Sequence, residues 1–353
     1  MSGAGRRLAF VDLLKAVAAQ LVVLHHLAFY GPLSDSAAAL LPGLIEWLSQ
    51  QARIAVQVFL VVGGFLAARS LAPEGCWVPD RQLLPVVWQR YRRLAGPYVV
   101  ALLVAIMGSA LASRWMVHDS ISAPPGPGQF LAHVLLLHDL LGYEALSAGV
   151  WYVAIDFQLY CLLALLLWLG GQRRLAGLDL GVGLVVLLLL ASLFHFNLDR
   201  GWDVWALYFF GSYGLGALAW WSARPGGCHR LGGLILLLAS VALAMEFRDR
   251  IAVATFTAAS IALIQSGNLM PDWQARPLAA FLSRISYGVF LIHFPVCLVV
   301  NAAFTRFVPL TPELALLGMG LAWGMSILAG AVFHYWVEQG VTGKAWWRLR
   351  PAG

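Results

Sequence analysis

Apolar runs separated by short polar segments set the pattern of this chain. A helix needs about 20 mostly apolar residues to cross a bilayer. Runs of that kind lie near residues 8–30, 54–72, 94–113, 150–169, 178–196, 203–221, 231–246, 250–267, 279–300 and 313–337. A further stretch, "GQFLAHVLLLHDLLG" from Gly128 to Gly142, is apolar but too short for a span. Its length suits a re-entrant or interfacial helix. The pattern predicts an all-α, polytopic integral membrane protein with about ten transmembrane helices plus that short extra helix. Residues 1–353 read as one membrane domain, because no polar block is long enough to make a fused soluble domain. The first run has no long basic region before it and no clean small-x-small cleavage site after it. It reads as a retained span and not a signal peptide.

Composition agrees. Of 353 residues, 61% are hydrophobic and 11% charged, with mean hydropathy +0.78, whereas soluble domains run nearer 25% charged. The net charge of +6 therefore points to a positive-inside bias and not to nucleic acid. With the N-terminus inside, inner segments carry 16 Lys and Arg and outer segments six, Lys15 lying within the first span. That split predicts cytoplasmic N- and C-termini and keeps 128–142 from being an eleventh span. The cysteines Cys76, Cys161, Cys228 and Cys297 form no C-x-x-C pair, so neither a disulfide framework nor a metal site is expected.

The polar residues inside apolar runs raise the question of chemistry, because an ionisable group at membrane depth is costly and usually faces the bundle interior or a wet cavity. Four places stand out. In the first span, Lys15 and His26 are 11 residues apart, about 20° off a common helical face, with Asp12 one turn before Lys15. His25 points about 80° off that stripe. Asp12 and Lys15 also fit a pair that simply snorkels to the interface. Either histidine also fits a neutral core residue bonded to a backbone carbonyl. Second, "WQRYRRLAGPYVV" places Arg90 and Arg93 on one helical face, either as a positive-inside anchor or as a clamp whose planar guanidinium forks suit phosphate. Third, "VWYVAIDFQLY" buries Asp156 in an apolar run with Tyr152 and Tyr160 one turn away on either side. Fourth, "LSRISYGVFLIHFPV" carries Tyr287 and His293, six residues apart and not aligned on one face.

Taken together, these segments resemble the acyltransferase-3 family of integral membrane acyltransferases. Asp12, Lys15 and His26 match its opening Asp-x-x-Arg/Lys, ten residues, His. "VFLVVGGFL" loosely matches its "FFxLSGF" segment, Arg90 and Arg93 its Arg-x-x-Arg, "WYVAIDFQLY" its "WfL-x-x-Glu-F-x-x-Y", and "SYGVFLIHFP" its "SYxxYLxHxP". The matches run the length of the chain in order. Departures are Gly63 for the usual Ser, Asp156 for Glu, and Phe290 where Tyr is common.

The resemblance implies transfer of an acyl group, with acetyl the expected one, from cytoplasmic acyl-CoA to a hydroxyl of a cell-surface or exported glycan. On that basis the expected catalytic residues are His26, Lys15 and Asp156. Arg90 and Arg93 are expected to bind the CoA phosphates, and Asp12, Tyr160, Tyr287 and His293 to support the site. A hydroxyl attacking a thioester needs a base, and an imidazole suits that role near neutral pH. The expected partners are acyl-CoA, a carbohydrate or other hydroxyl acceptor and the lipid bilayer, with no nucleic acid and no metal. The expected location is the cytoplasmic (inner) membrane. The competing reading is a transporter or flippase of a sugar or lipid-linked glycan, whose intramembrane Asp, Lys and His would form a proton relay. No pair of matching halves of the kind common in transporters is evident in the sequence.

Overall fold

A computed structural model describes residues 9–175, 178–224, 229–267 and 277–342. Arg6, Arg7, Arg276, Lys344, Arg348 and Arg350, which entered the charge count, lie outside the described residues, as does Cys228. Each of the ten apolar runs forms a helix: α1 Ala9–Phe29, α4 Val56–Leu71, α5 Leu83–Ala112, α7 Val150–Gly170, α8 Leu180–Phe194, α9 Ala206–Ala223, α10 His229–Met245, α11 Asp249–Gly267, α12 Pro277–Phe307 and α13 Pro312–Phe333. Among the described residues, eight helical segments are long and apolar enough to cross a membrane. Shorter helices are α2 Pro32–Ala37, α3 Pro42–Gln50, α6 Pro127–Val134 and α14 Gln339–Thr342. A two-residue antiparallel pair, Arg174–Leu175 with Leu178–Asp179, joins α7 to α8. The protein is an all-α, multi-pass membrane protein.

Two expected helices are longer than their apolar cores. Hydropathy marks 94–113 and 279–300, whereas α5 has 30 residues and α12 has 31. The polar stretches "WQRYRR" and "NAAFTRF" simply continue the helices, and Pro97 and Pro295 lie inside them without ending them. The expected helix at 128–142 is shorter than its apolar run. It is α6, eight residues, followed by irregular backbone.

The chain divides into two compact units. One comprises Met1–Ala18, Ile54–Arg90 and Ala154–Ala280. Its centre is α4 against α9, where the backbones touch. A Cβ on Gly64 would stand 1.9 Å from the Tyr213 carbonyl oxygen, and one on Gly216 would stand 1.9 Å from that of Val61. Small residues allow this approach where lipid gives helices little hydrophobic reason to associate. The indoles of Trp221 and Trp220 donate to the carbonyls of Ala72 and Pro73, just past the end of α4. In the "EFRDR" turn between α10 and α11, Arg248 donates to the carbonyls of Leu193 and Ala242 and to Asn197 Oδ1. One guanidinium thus satisfies the carbonyls of two helix ends.

The other unit comprises Ala19–Arg53, Tyr91–Val153 and Phe281–Gly353. Val23, Leu27, Leu33, Ile285, Val289 and Met319 belong to its apolar core. Asn301 on α12 accepts the Leu33 N–H at the start of α2 and donates to the Cys297 carbonyl. On α5, Gly108 packs against Pro295 of α12, and the Leu94 carbonyl accepts the Tyr287 hydroxyl at 3.2 Å. These contacts fix the register between α5 and α12, and with it the depth of the site residues on both.

Candidate active site

The intramembrane polar residues assemble into two clusters, one within each unit. The first is ionic. Arg90 Nη2 meets Asp156 Oδ2 at 2.5 Å. The Tyr160 ring, one turn after Asp156 on α7, lies under the guanidinium with 5.1 Å from Cζ to centroid. Asp156 is 6% exposed, so loss of Arg90 would leave it buried and unpaired. Gly63 on α4 closes the far side. A Cβ there would stand 3.2 Å from Asp156 Oδ1 and 3.1 Å from the Tyr213 ring. Tyr213 is fully buried, and its hydroxyl has no hydrogen-bond partner among the described residues. Sequence reasoning missed Tyr213, since a tyrosine in the small-residue run "FGSYGLGA" reads as packing.

The expected two-arginine clamp is therefore divided. Arg90 is held by Asp156, while Arg93, one turn later on α5, is exposed. The physical reason is that a carboxylate inside a span needs a cation, and Arg90 is the one that reaches it.

The second cluster is neutral and lies in the other unit. His26 Nδ1 stands 2.6 Å from His293 Nε2. The ring planes are within 4° of parallel, with centroids 4.9 Å apart. Parallel rings whose nitrogens approach to 2.6 Å cannot be stacked face to face, because van der Waals contact would hold their planes further apart. They lie edge to edge, as an N–H directed at a ring lone pair requires. His293 Nδ1 is 2.8 Å from the Phe290 carbonyl and 3.1 Å from that of Val289. Carbonyls only accept, so His293 Nδ1 carries the proton and Nε2 is left with a lone pair. His26 must then donate through Nδ1, which assigns the lone pair of His26 to Nε2. Both histidines are buried.

The neighbour of His26 has another role. His25 Nδ1 stands 3.0 Å from the Leu48 carbonyl in α3, a bond between a ring N–H and backbone that ties α1 to α3. Asp12 and Lys15 are partly buried in the first two turns of α1. Tyr287 bonds backbone, not His293. The lack of alignment between Tyr287 and His293 in sequence thus corresponds to two separate partners. No group of three or more His, Cys, Asp or Glu poised to hold a metal occurs among the described residues.

No curated protein and no solved structure matches the chain. A family model described as "Acyltransferase domain" matches residues 8–335, nearly the whole length. That match takes in α1 with His26, α5 with Arg90, α7 with Asp156 and α12 with His293. The chain belongs to the acyltransferase-3 family and is a membrane acyltransferase.

Proposed function

We propose that the protein moves an acyl group, acetyl in the simplest case, from cytoplasmic acyl-CoA to a hydroxyl of a cell-surface or exported glycan. It would do so in the cytoplasmic membrane with both termini inside. The observation that carries this reading is the coplanar His26–His293 contact. It leaves His26 Nε2 unprotonated in a buried setting, as a general base requires.

The step balances as follows. His26 Nε2 takes the proton of the acceptor hydroxyl as its oxygen attacks the thioester carbonyl carbon. A C–O bond forms, the C–S bond breaks, and the proton passes from Nε2 to the departing CoA sulfur. His26 Nδ1–H stays bonded to His293 throughout, so the imidazolium formed in between is stabilised at its far nitrogen. His293 is a positioning residue in this scheme, and His26 is the catalytic one.

The cations have different duties. Arg93, exposed on α5, and Lys15 on α1 are the basic groups offered to the CoA phosphates. Arg90 with Tyr160 holds the Asp156 carboxylate in place, so Arg90 acts on the donor only through that network.

The test uses protein purified in detergent with radiolabelled acetyl-CoA and isolated envelope glycan. The expected result is CoA release with label in the glycan, lost in a folded His26→Ala variant. Full CoA release by that variant would end the base assignment. Glycan movement without CoA release would favour a transporter instead.

A further inference from the structure

The segment between α5 and α7 holds a polar cluster that the scheme above does not use. The chain leaves α5 at Ala112, yet Val134 at the end of α6 accepts the Tyr91 hydroxyl at 2.9 Å. Tyr91 stands 21 positions before Ala112, which is about 30 Å back along the helix at 1.5 Å per residue. That is the thickness of a bilayer's hydrocarbon core, and a tyrosine side chain covers only a small part of it. A Cβ on Gly149 would stand 3.1 Å from the ring of Phe290, which is 17 positions before the end of α12. The segment thus folds back along α5 and packs against α12.

The segment is partly buried: Leu136, His133 and His138 are fully covered, whereas Leu135, Leu137 and residues 141–145 are exposed. His133 is satisfied, through Nδ1 to the Gln129 carbonyl and through Nε2 from the Leu146 N–H. Its ring stacks on His138 with centroids 4.1 Å apart. His138 differs. Neither of its ring nitrogens makes a hydrogen bond among the described residues, and Nε2 stands 3.5 Å from Asp139 Oδ2. The Tyr98 hydroxyl on α5, within electrostatic reach of Asp139, and Ser147 Oγ are likewise buried without hydrogen-bond partners. A single buried polar group left unbonded is costly and uncommon. Three on one short segment and the helix beside it point to a ligand that bonds them.

Two features name that ligand's chemistry. Tyr and Ser hydroxyls and a neutral imidazole each offer both a donor and an acceptor, which matches neutral hydroxyl groups. The Asp139 carboxylate beside them accepts from hydroxyls and repels phosphate and carboxylate. The location names its purpose. Gly149 packs on the Phe290 ring, and the Phe290 carbonyl is the one that fixes His293. We infer that Tyr98, His138 and Ser147 form the binding site for hydroxyls of a polyhydroxylated acceptor, entered from the side at which α5 ends at Ala112. The inference rests on His26 as the base and adds the acceptor side of that site.

Inside-out membrane vesicles carrying the protein and the cell's own envelope glycan, supplied with [14C]acetyl-CoA, test it. Label is divided between glycan and free acetate, water being the competing acceptor. The variants are Tyr98→Phe, Ser147→Ala and the double variant, and the quantity read is the partition of label between the two acceptors. The ratio of glycan label to acetate should fall about tenfold. Thermal stability should hold or rise, because an orphaned hydroxyl has been removed. An unchanged ratio overturns the inference, as does a parallel fall of both products with a lower Tm. Full CoA release in His26→Ala would instead sink the base assignment, so the two failures are separable. A second measurement uses Ser147→Cys in a protein otherwise free of cysteine, treated in intact cells with a charged, membrane-impermeant thiol reagent. Modification is expected, and its absence overturns the entrance from outside.

Discussion

The Arg90–Asp156 pair and the His26–His293 pair are both polar contacts inside apolar helices, and they are built on opposite principles. The first holds two formal charges that must stay together. Separating them leaves a buried ion, and in a membrane segment little else can compensate it. The second holds no charge at rest. It can be lost with modest harm to the fold, yet it fixes which nitrogen of His26 bears a lone pair. The difference separates a cluster that chiefly holds structure and orientation from one poised for proton transfer.

The comparison breaks most visibly at Asp156. Asp156→Ala should destabilise the protein by about 3–5 kcal/mol, because Arg90 is left uncompensated. The value should sit at the lower end, since the Arg90 side chain keeps 29% exposure. Arg90→Met combined with Asp156→Leu should recover most of that loss while leaving activity impaired. Thermal unfolding in detergent beside CoA release measures both quantities. Equal stability of Asp156→Ala and the unmodified protein would show that the pair holds nothing.

His26→Ala should do the reverse. We expect acyl transfer to fall by about 10²–10⁴-fold, the usual worth of a positioned base, with stability lowered by about 1–3 kcal/mol, because the His293 acceptor is left unpaired. Substitution of His293 sharpens the point, because a positioning role can be rescued. In His293→Gln the amide oxygen can accept the His26 Nδ1–H, so activity should stay within about tenfold. His293→Leu offers no acceptor, frees the tautomer, and should approach His26→Ala, since a wrong tautomer alone can cost up to about 10⁴. Equal activities for Gln and Leu would remove the tautomer argument. Selective 15N labelling of histidine reads the same quantity directly, through which ring nitrogen of His26 carries the proton in each variant.

The sequence showed the helices far more clearly than the pairings. Apolar run length placed all ten long helices, because burial in lipid demands that length whatever the partners are. It could not show that α5 and α12 extend well past their apolar cores, since charged turns continue a helix as readily as apolar ones. It also placed Asp156, Arg90, His26 and His293 as residues of interest, each being expensive in a span. The pairing itself was out of reach. Arg90 and Asp156 are 66 positions apart, and His26 and His293 are 267 apart. Only tertiary packing brings them together. Tyr98, His138 and Ser147 carried no such signal: the length of 128–142 suggested a re-entrant or interfacial helix, but not which polar side chains would be buried there without hydrogen-bond partners among the described residues.

The smallest effect belongs to His25, and it tests the comparison at closest range. His25 and His26 are adjacent, both buried, with ring centroids 5.0 Å apart. Only their partners distinguish them. His25 bonds a backbone carbonyl in α3, so its loss removes one tie between helices and one satisfied acceptor. His25→Gln should cost about 1 kcal/mol or less, because an amide N–H can replace the ring donor to Leu48. His25→Phe should cost somewhat more, since it leaves that carbonyl unpaired. Neither should change acyl transfer by more than a few fold once protein amounts are matched. The decisive measurement is the activity ratio of the two neighbours under identical conditions. If His25→Gln were inactive and His26→Gln active, the lone pair that matters would belong to the wrong ring, and the contact with His293 would be packing alone.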